Sequence, residues 1–145
     1  LPLKSIHITD STEATEALGR LSASQFLNQK IFLFGDLGVG KTTFLRGLAS
    51  GFKIKTKIKS PTFVGEHLHA IDSKHVFLHL DFYRAESLPA EVVARLHEMF
   101  TAKNTTVAIE WSEKLPHSLL PKERIEIYFQ DCGGEKREIT FVVFP

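Results

Sequence analysis

The sequence holds a single cysteine, Cys132, so it cannot close an internal disulfide, and this usage fits a reducing compartment. It has no apolar run long enough to span a bilayer, which leaves no expectation of membrane attachment. Leu1 to Thr9 lacks the charged-then-apolar pattern of a secretory signal, so a cytoplasmic protein is expected. Net charge is nearly absent as well: 18 Lys and Arg against 17 Asp and Glu leave +1. That balance points to neither a DNA-binding surface nor an acidic tail, and any nucleic-acid contact needs a local basic patch. There is no internal repeat and no low-complexity linker. What remains is 145 residues at 43% apolar and 24% charged, the composition of an ordinary folded chain with one core. One domain spanning residues 1–145 is expected.

Apolar spacing divides the chain into alternating strands and helices. Asp10, with Glu13 three positions later, makes a helix start, and Ala14, Ala17, Leu18 and Leu21 continue it at helical spacing to about Leu27. Ile31 to Phe34 is a continuous apolar run that stops at glycine, the pattern of a strand buried on both faces. A helix is predicted from Lys41 to Ser50, with Gly51 as its stop. Val76–Leu80 and Thr105–Ile109 read as further buried strands. Between them Ser87 caps a helix whose inner stripe is Val92, Val93, Leu96 and Phe100. Arg124–Phe129 and Arg137–Phe144 alternate apolar and polar residues around Asp131-Cys-Gly-Gly134, which predicts an antiparallel hairpin. The fold class is therefore α/β: a mainly parallel central sheet flanked by helices, closed by a C-terminal antiparallel hairpin.

Gly35-Asp-Leu-Gly-Val-Gly-Lys-Thr42 is a full match to G-x-x-x-x-G-K-[ST], with a strand leading in and a helix leading out. Glycines at 35, 38 and 40 let the backbone curl with its N–H groups inward, an anion nest reinforced by the helix start. This is the arrangement of a P-loop nucleotide-binding fold. Leu37, Gly38, Val39, Gly40, Lys41, Thr42 and Thr43 are the expected nucleotide contacts. Lys41 would reach the β- and γ-phosphates and the Thr42 hydroxyl would join a magnesium shell.

In an open α/β sheet, ligands sit beyond the carboxyl ends of the strands. Asp81 and Glu110 each directly follow a predicted buried strand and would share the edge that carries the phosphate loop. Magnesium needs hard oxygen ligands. One acid would hold the metal, directly or through water, and the other would orient or deprotonate the attacking water. The sequence leaves the two assignments open.

Four motifs now stand in order: Gly35-Asp-Leu-Gly-Val-Gly-Lys-Thr-Thr43, Lys59-Ser-Pro-Thr-Phe63, His79-Leu-Asp-Phe-Tyr-Arg84 and Ile109-Glu-Trp-Ser112. Together they closely resemble the TsaE (YjeE) family, bacterial ATPases required for making threonylcarbamoyladenosine in tRNA. The resemblance runs from the helix near Asp10 to the terminal hairpin. It implies ATP and Mg2+ as cofactors, with Lys41 and Thr42 as the phosphate and magnesium residues and Asp81 as the Walker B acid. It makes Glu110 an acid linked to magnesium and hydrolysis, and gives Ser60-Pro-Thr62 as a switch-like loop with Thr62 nearest the γ-phosphate. Trp111 falls near the nucleotide, Thr12 in the N-terminal region that reaches it, and Arg137 on a basic position after the hairpin turn. The implied partners are the threonylcarbamoyl transferase TsaD and its companion TsaB, with tRNA met only through that complex. Phe82 stands where leucine is frequent, and Phe52–Ile58 is more basic than the family pattern.

Other signals are weaker. Lys53, Lys55, Lys57 and Lys59 alternate with Ile54, Thr56 and Ile58, which reads as a solvated edge strand whose lysines discourage edge pairing, or as a patch for an acidic surface. His67, His69, His75 and His79 lack the spacing of a zinc site. Trp111 either stacks on adenine or fills the sheet edge, and Arg84 is either an arginine finger in cis or the partner of a local acid. The alternatives to an ATPase are a small P-loop kinase and a nucleotide-gated switch module. Against the kinase, Arg20, Arg46, Arg84, Arg95, Arg124 and Arg137 are scattered and form no lid-like cluster. No N-K-x-D segment is present to read guanine.

Overall fold

A computed structural model describes residues 1–54, 57–58 and 66–145. At its centre lie β2 (Lys30–Phe34) and β6 (Thr105–Glu110), buried along nearly their whole length as strands covered on both faces must be. The other strands are β1 (Leu3–Thr9), β3 (Lys57–Ile58), β4 (Glu66–Ala70), β5 (Val76–Asp81), β7 (Arg124–Asp131) and β8 (Arg137–Phe144). The helices are α1 (Thr12–Leu21), α2 (Ala23–Phe26), α3 (Lys41–Gly51) and α4 (Ala90–Thr101), with short 3-10 turns at Ser112–Lys114 and His117–Leu119.

Among the described residues eight strands form one sheet in the order β1-β8-β7-β2-β6-β5-β4-β3. The inner strands β7, β2, β6 and β5 are parallel, and β7 turns back into β8 as the expected hairpin. The flanks run antiparallel on both sides, through β1 at one edge and through β4 and β3 at the other. Neither β1 nor β4 was visible as a strand: β1 is largely exposed along its length, and β4 is the polar run Glu-His-Leu-His-Ala. Side chains along β2 part by the strand period. Ile31 and Leu33 pack with Phe26, Phe44 and Leu48 under α2 and α3, while Phe32 packs with Leu96 and Met99 of α4.

Three local expectations are corrected. The helix α1 is capped by Ser11, whose hydroxyl accepts from the Ala14 N–H at 3.0 Å, and not by Asp10. The helix α4 begins behind Pro89 and not at Ser87, because a proline ring disfavours helical backbone in the residue before it, here Leu88. Lys53 stands in the turn after α3 with φ of 58° and lies outside β3, the strand that holds Lys57. Lys55 and Lys59 lie outside the described residues, as does the Ser60-Pro-Thr62 loop.

The stripe buried by α1 also differs. Thr15 and Gly19 are buried while Leu21 is 76% exposed. The cause is how closely α1 meets α3. A Cβ on Gly19 would stand 2.1 Å from the Phe44 carbonyl oxygen, and one on Gly47 only 1.9 Å from that of Glu16. The two helices touch backbone to backbone, so only small residues fit the seam. This seam lays the first turn of α1 beside the start of α3.

Candidate functional site: a cleft at the carboxyl edge of the sheet

The phosphate loop joins β2 to α3 at the edge where β5 and β6 also end, with Asp81 and Glu110 paired in register as the last residues of their strands. Gly35 and Gly40 are the positions where the turn requires glycine. At Gly35, φ is 150° and a Cβ would meet the Val39 side chain at 2.9 Å and the Phe129 Cβ at 3.1 Å. Gly40 is the N-cap of α3 in a left-handed conformation with φ of 105°, and no side chain caps the helix. The N–H groups of the first turn of α3 are therefore left for a ligand, where the helix dipole favours an anion.

Arg137 of β8 fixes the loop from behind. Its Nε donates to the Val39 carbonyl at 3.0 Å and its Nη2 reaches the Gly38 carbonyl at 3.5 Å. A trans peptide points its N–H opposite its carbonyl, so the Gly40 N–H faces away from Arg137. The Nη1 group is shared among the Gly134 carbonyl at 2.7 Å, the Lys136 carbonyl at 2.8 Å and the Asp131 carboxylate at 3.1 Å. On the other side of the loop, Glu113 accepts from the Gly35 N–H at 2.8 Å.

Lys41 is only 4% exposed. Its Nζ donates to the Gly35 carbonyl at 2.5 Å and sits 3.7 Å from the centroid of the Trp111 ring. Burial holds this ammonium below the ordinary lysine value, against the pull of Glu113, Glu110, Asp81 and Asp36. Trp111 takes a left-handed conformation with φ of 61°, uncommon for a bulky residue, which turns the chain out of β6 and brings the indole over the ammonium. Tyr83 leans on the same indole, ring centroids 5.0 Å apart. Trp111 thus stands where the Lys41 side chain ends.

The Thr42 hydroxyl donates to Glu110 Oε1 at 2.9 Å, and His79 Nε2 meets Glu110 Oε2 at 2.7 Å. Burial alone would push this carboxyl up. The bond and charge of His79, the Thr42 hydroxyl and the Lys41 ammonium outweigh it and hold Glu110 below the usual carboxylate value. Asp81 is exposed and spends Oδ1 on the Tyr83 N–H at 2.9 Å. Two acids side by side thus differ in kind: one buried and fully bonded, the other open to water.

A family model described as "Threonylcarbamoyl adenosine biosynthesis protein TsaE" matches residues 9–139. The chain belongs to the TsaE family. A TsaE of Bacillus subtilis is 35% identical over 136 residues, covering 92% of this chain and 82% of that protein. One from Rickettsia bellii is 37% identical over 138 residues, covering 93% and 92%. The crystal structure of YdiB from Bacillus subtilis superposes with a TM-score of 0.77 at 29% identity, over all of this chain and 88% of that one. Proteins so named serve the biosynthesis of threonylcarbamoyladenosine in tRNA, the branch of tRNA modification for which this family is named.

Against the TsaE pattern, the cleft brings together Thr12, Leu37, Gly38, Gly40, Lys41, Thr42, Thr43, Asp81, Glu110, Trp111 and Arg137. Val39 stands apart: it is buried beneath the loop, its N–H bonded to the Asp36 carbonyl. Arg84 is exposed and outside the lining, and Thr62 lies outside the described residues. Sequence reasoning missed Thr15, Tyr83 and Glu135 in the lining, as well as His79 and Glu113 behind it. Tyr83 and His79 were within reach, inside the quoted His79–Arg84 motif. Glu135, which accepts the Thr12 N–H at 2.8 Å across the cleft mouth, gave no local signal.

Proposed function

We propose that this chain, as a single domain in the cytoplasm, binds ATP with Mg2+ in the cleft and hydrolyses it slowly, acting on the TsaD–TsaB assembly that makes threonylcarbamoyladenosine in tRNA. The observation that carries the reading is a buried lysine beside an uncapped helix start, with the next residue, Thr42, bonded to a buried acid. A buried ammonium is costly unless an anion repays it, and the N–H groups of α3 ask for the same ligand.

The donor set fits both groups. Lys41 and the first turn of α3 would hold the phosphates, and Thr42 with Glu110 would hold the magnesium, whose hard oxygen ligands these are. A magnesium ion held there by Thr42 and Glu110 would supply charge neutralisation to the phosphates. Asp81, the exposed acid, is the residue free to orient water or take its proton at Oδ2, because Oδ1 is engaged by Tyr83. Glu110, held on each oxygen by one hydrogen bond, is fixed as a ligand and is less exposed to water than Asp81. Arg137 acts on the loop carbonyls and keeps the nest open.

The test is ATP turnover by the pure chain, alone and then with TsaD and TsaB. Slow hydrolysis that rises on assembly is the expected result. Phosphate passed to a small acceptor, with no response to the partners, would replace this reading with the kinase.

A further inference from the structure

Glu110 is 4% exposed, and a carboxylate that deep must have both oxygens satisfied. Oε1 receives the Thr42 hydroxyl, which leaves Oε2 to whatever β5 presents. The side chain there is His79, with Nε2 at 2.7 Å, and His67 of β4 lies behind it with ring centroids 5.9 Å apart. The bond crosses between neighbouring strands whose register puts His79 opposite Ala108 and Asp81 opposite Glu110. A carboxylate only accepts, so Nε2 carries the hydrogen and donates it.

From this geometry we propose that His79 is a positioning residue for the magnesium site: it pins Oε2 so that Oε1 is turned to Thr42 and the metal. The proposal rests on the nucleotide reading above and deepens it. His79 stands behind Glu110 and does not line the cleft. Without it, Oε2 is buried with no donor, and Glu110 relieves this by rotating away from Thr42 or drawing in water. Either change spoils a hard oxygen ligand while leaving Lys41 and the α3 N–H groups intact. Partners that orient a metal ligand typically govern about 10–100-fold in metal affinity.

The experiment measures ADP and ATPγS affinity by calorimetry, across a magnesium titration and in EDTA, for the parent, His79→Ala and His79→Gln. The glutamine amide nitrogen lies the same number of bonds from Cα as Nε2 and can donate to Oε2. His79→Ala is expected to need about 10–100-fold more magnesium for the same nucleotide affinity, with unchanged affinity in EDTA. His79→Gln is expected to recover most of the loss. His75→Ala, at the other end of β5 and bonded to Asp72, serves as a control that leaves the magnesium curve in place. An equal loss in EDTA and in magnesium, or a parent-like magnesium curve for His79→Ala, overturns the positioning role. If the parent's own affinity ignores magnesium, the metal-site reading falls and takes this proposal with it. If His79→Ala proves unfolded by circular dichroism, His79→Gln decides against His79→Leu on the same axes.

Discussion

The seam between α1 and α3 is the feature on which fold and site depend together, and Gly47→Ala tests it. A Cβ there would lie 1.9 Å from the Glu16 carbonyl oxygen, where ordinary contact begins near 3.4 Å. The deficit, about 1.5 Å, falls on backbone, since the Glu16 carbonyl carbon at 2.8 Å and the Arg20 nitrogen at 3.1 Å crowd the same point. No side-chain rotation relieves it, so α1 must shift bodily away from α3. Overpacking of this kind costs about 1–3 kcal/mol, and with backbone on the receiving side the upper part of that range applies. For a chain of this size, about 3–5 °C of Tm per kcal/mol converts the loss to about 6–15 °C. The shift also carries Thr12 and Thr15 off the cleft, because Thr15 Cγ2 is 3.6 Å from the Cβ position of Gly40. Thermal denaturation with and without ADP checks both effects: Tm falls, and the ligand-induced rise in Tm shrinks. Ser50→Ala, an exposed site on the same helix, should move neither. A Gly47→Ala protein within about 1 °C of its parent, with the same response to ADP, would refute the backbone-to-backbone contact.

Three further outcomes are expected. Lys41→Met should raise Tm at pH 7 in the absence of nucleotide while abolishing nucleotide binding by calorimetry, because burial lowers the lysine pKa and the charged form therefore destabilises the folded state. A drop in Tm would mean that the Gly35 carbonyl and the Trp111 ring outweigh the burial. Glu110→Gln should spare nucleotide affinity measured in EDTA, need more magnesium for the same affinity by calorimetry, and remove turnover. The folded-state pKa of this acid is depressed, so its contribution to stability is present above the ordinary value of 4.5 and lost as pH falls through the lower one. The stability gap between parent and Glu110→Gln, followed by urea titration, should hold from pH 7 to about 5 and close only in stronger acid. Arg137→Ala frees the Gly38 and Val39 carbonyls and should weaken nucleotide affinity by about tenfold, one lost charge-assisted bond of about 1.5 kcal/mol at the loop. Affinity equal to the parent's would restrict Arg137 to the hairpin.

What the sequence disclosed was whatever the chain encodes locally. The glycine loop, Lys41 and Thr42 are contiguous, and Asp81 and Glu110 each follow an apolar run that could only be a buried strand. Parallel pairing then aligns the two acids without further information. The four parallel strands and the terminal hairpin were legible for the same reason, since their periods and turn residues are written within each segment. The two acids were not distinguishable, because what separates them is not in their own segments. Burial, Thr42 and His79 act on one, and solvent and the Tyr83 N–H on the other.

What stayed hidden depends on contacts between distant segments. A glycine inside a helix weakens it by about 1 kcal/mol relative to alanine, and only the seam shows that larger residues are excluded at Gly19 and Gly47. Arg137 matched a basic position, yet its donors meet carbonyls 98 and 99 residues earlier in the chain. Glu135 reaches the Thr12 N–H across 123 residues. These contacts lie on one side of the cleft, where the hairpin and the start of α1 grip the phosphate loop from behind. The chemistry-bearing residues lie on the other side, at the strand ends. A loop whose N–H groups must wait open for an anion has to have its carbonyls held elsewhere, and the hairpin at the end of the chain supplies that hold. The loop is thereby held by bonds formed far from it in sequence, so a reader of the motif alone finds the ligand side of the loop and not its support.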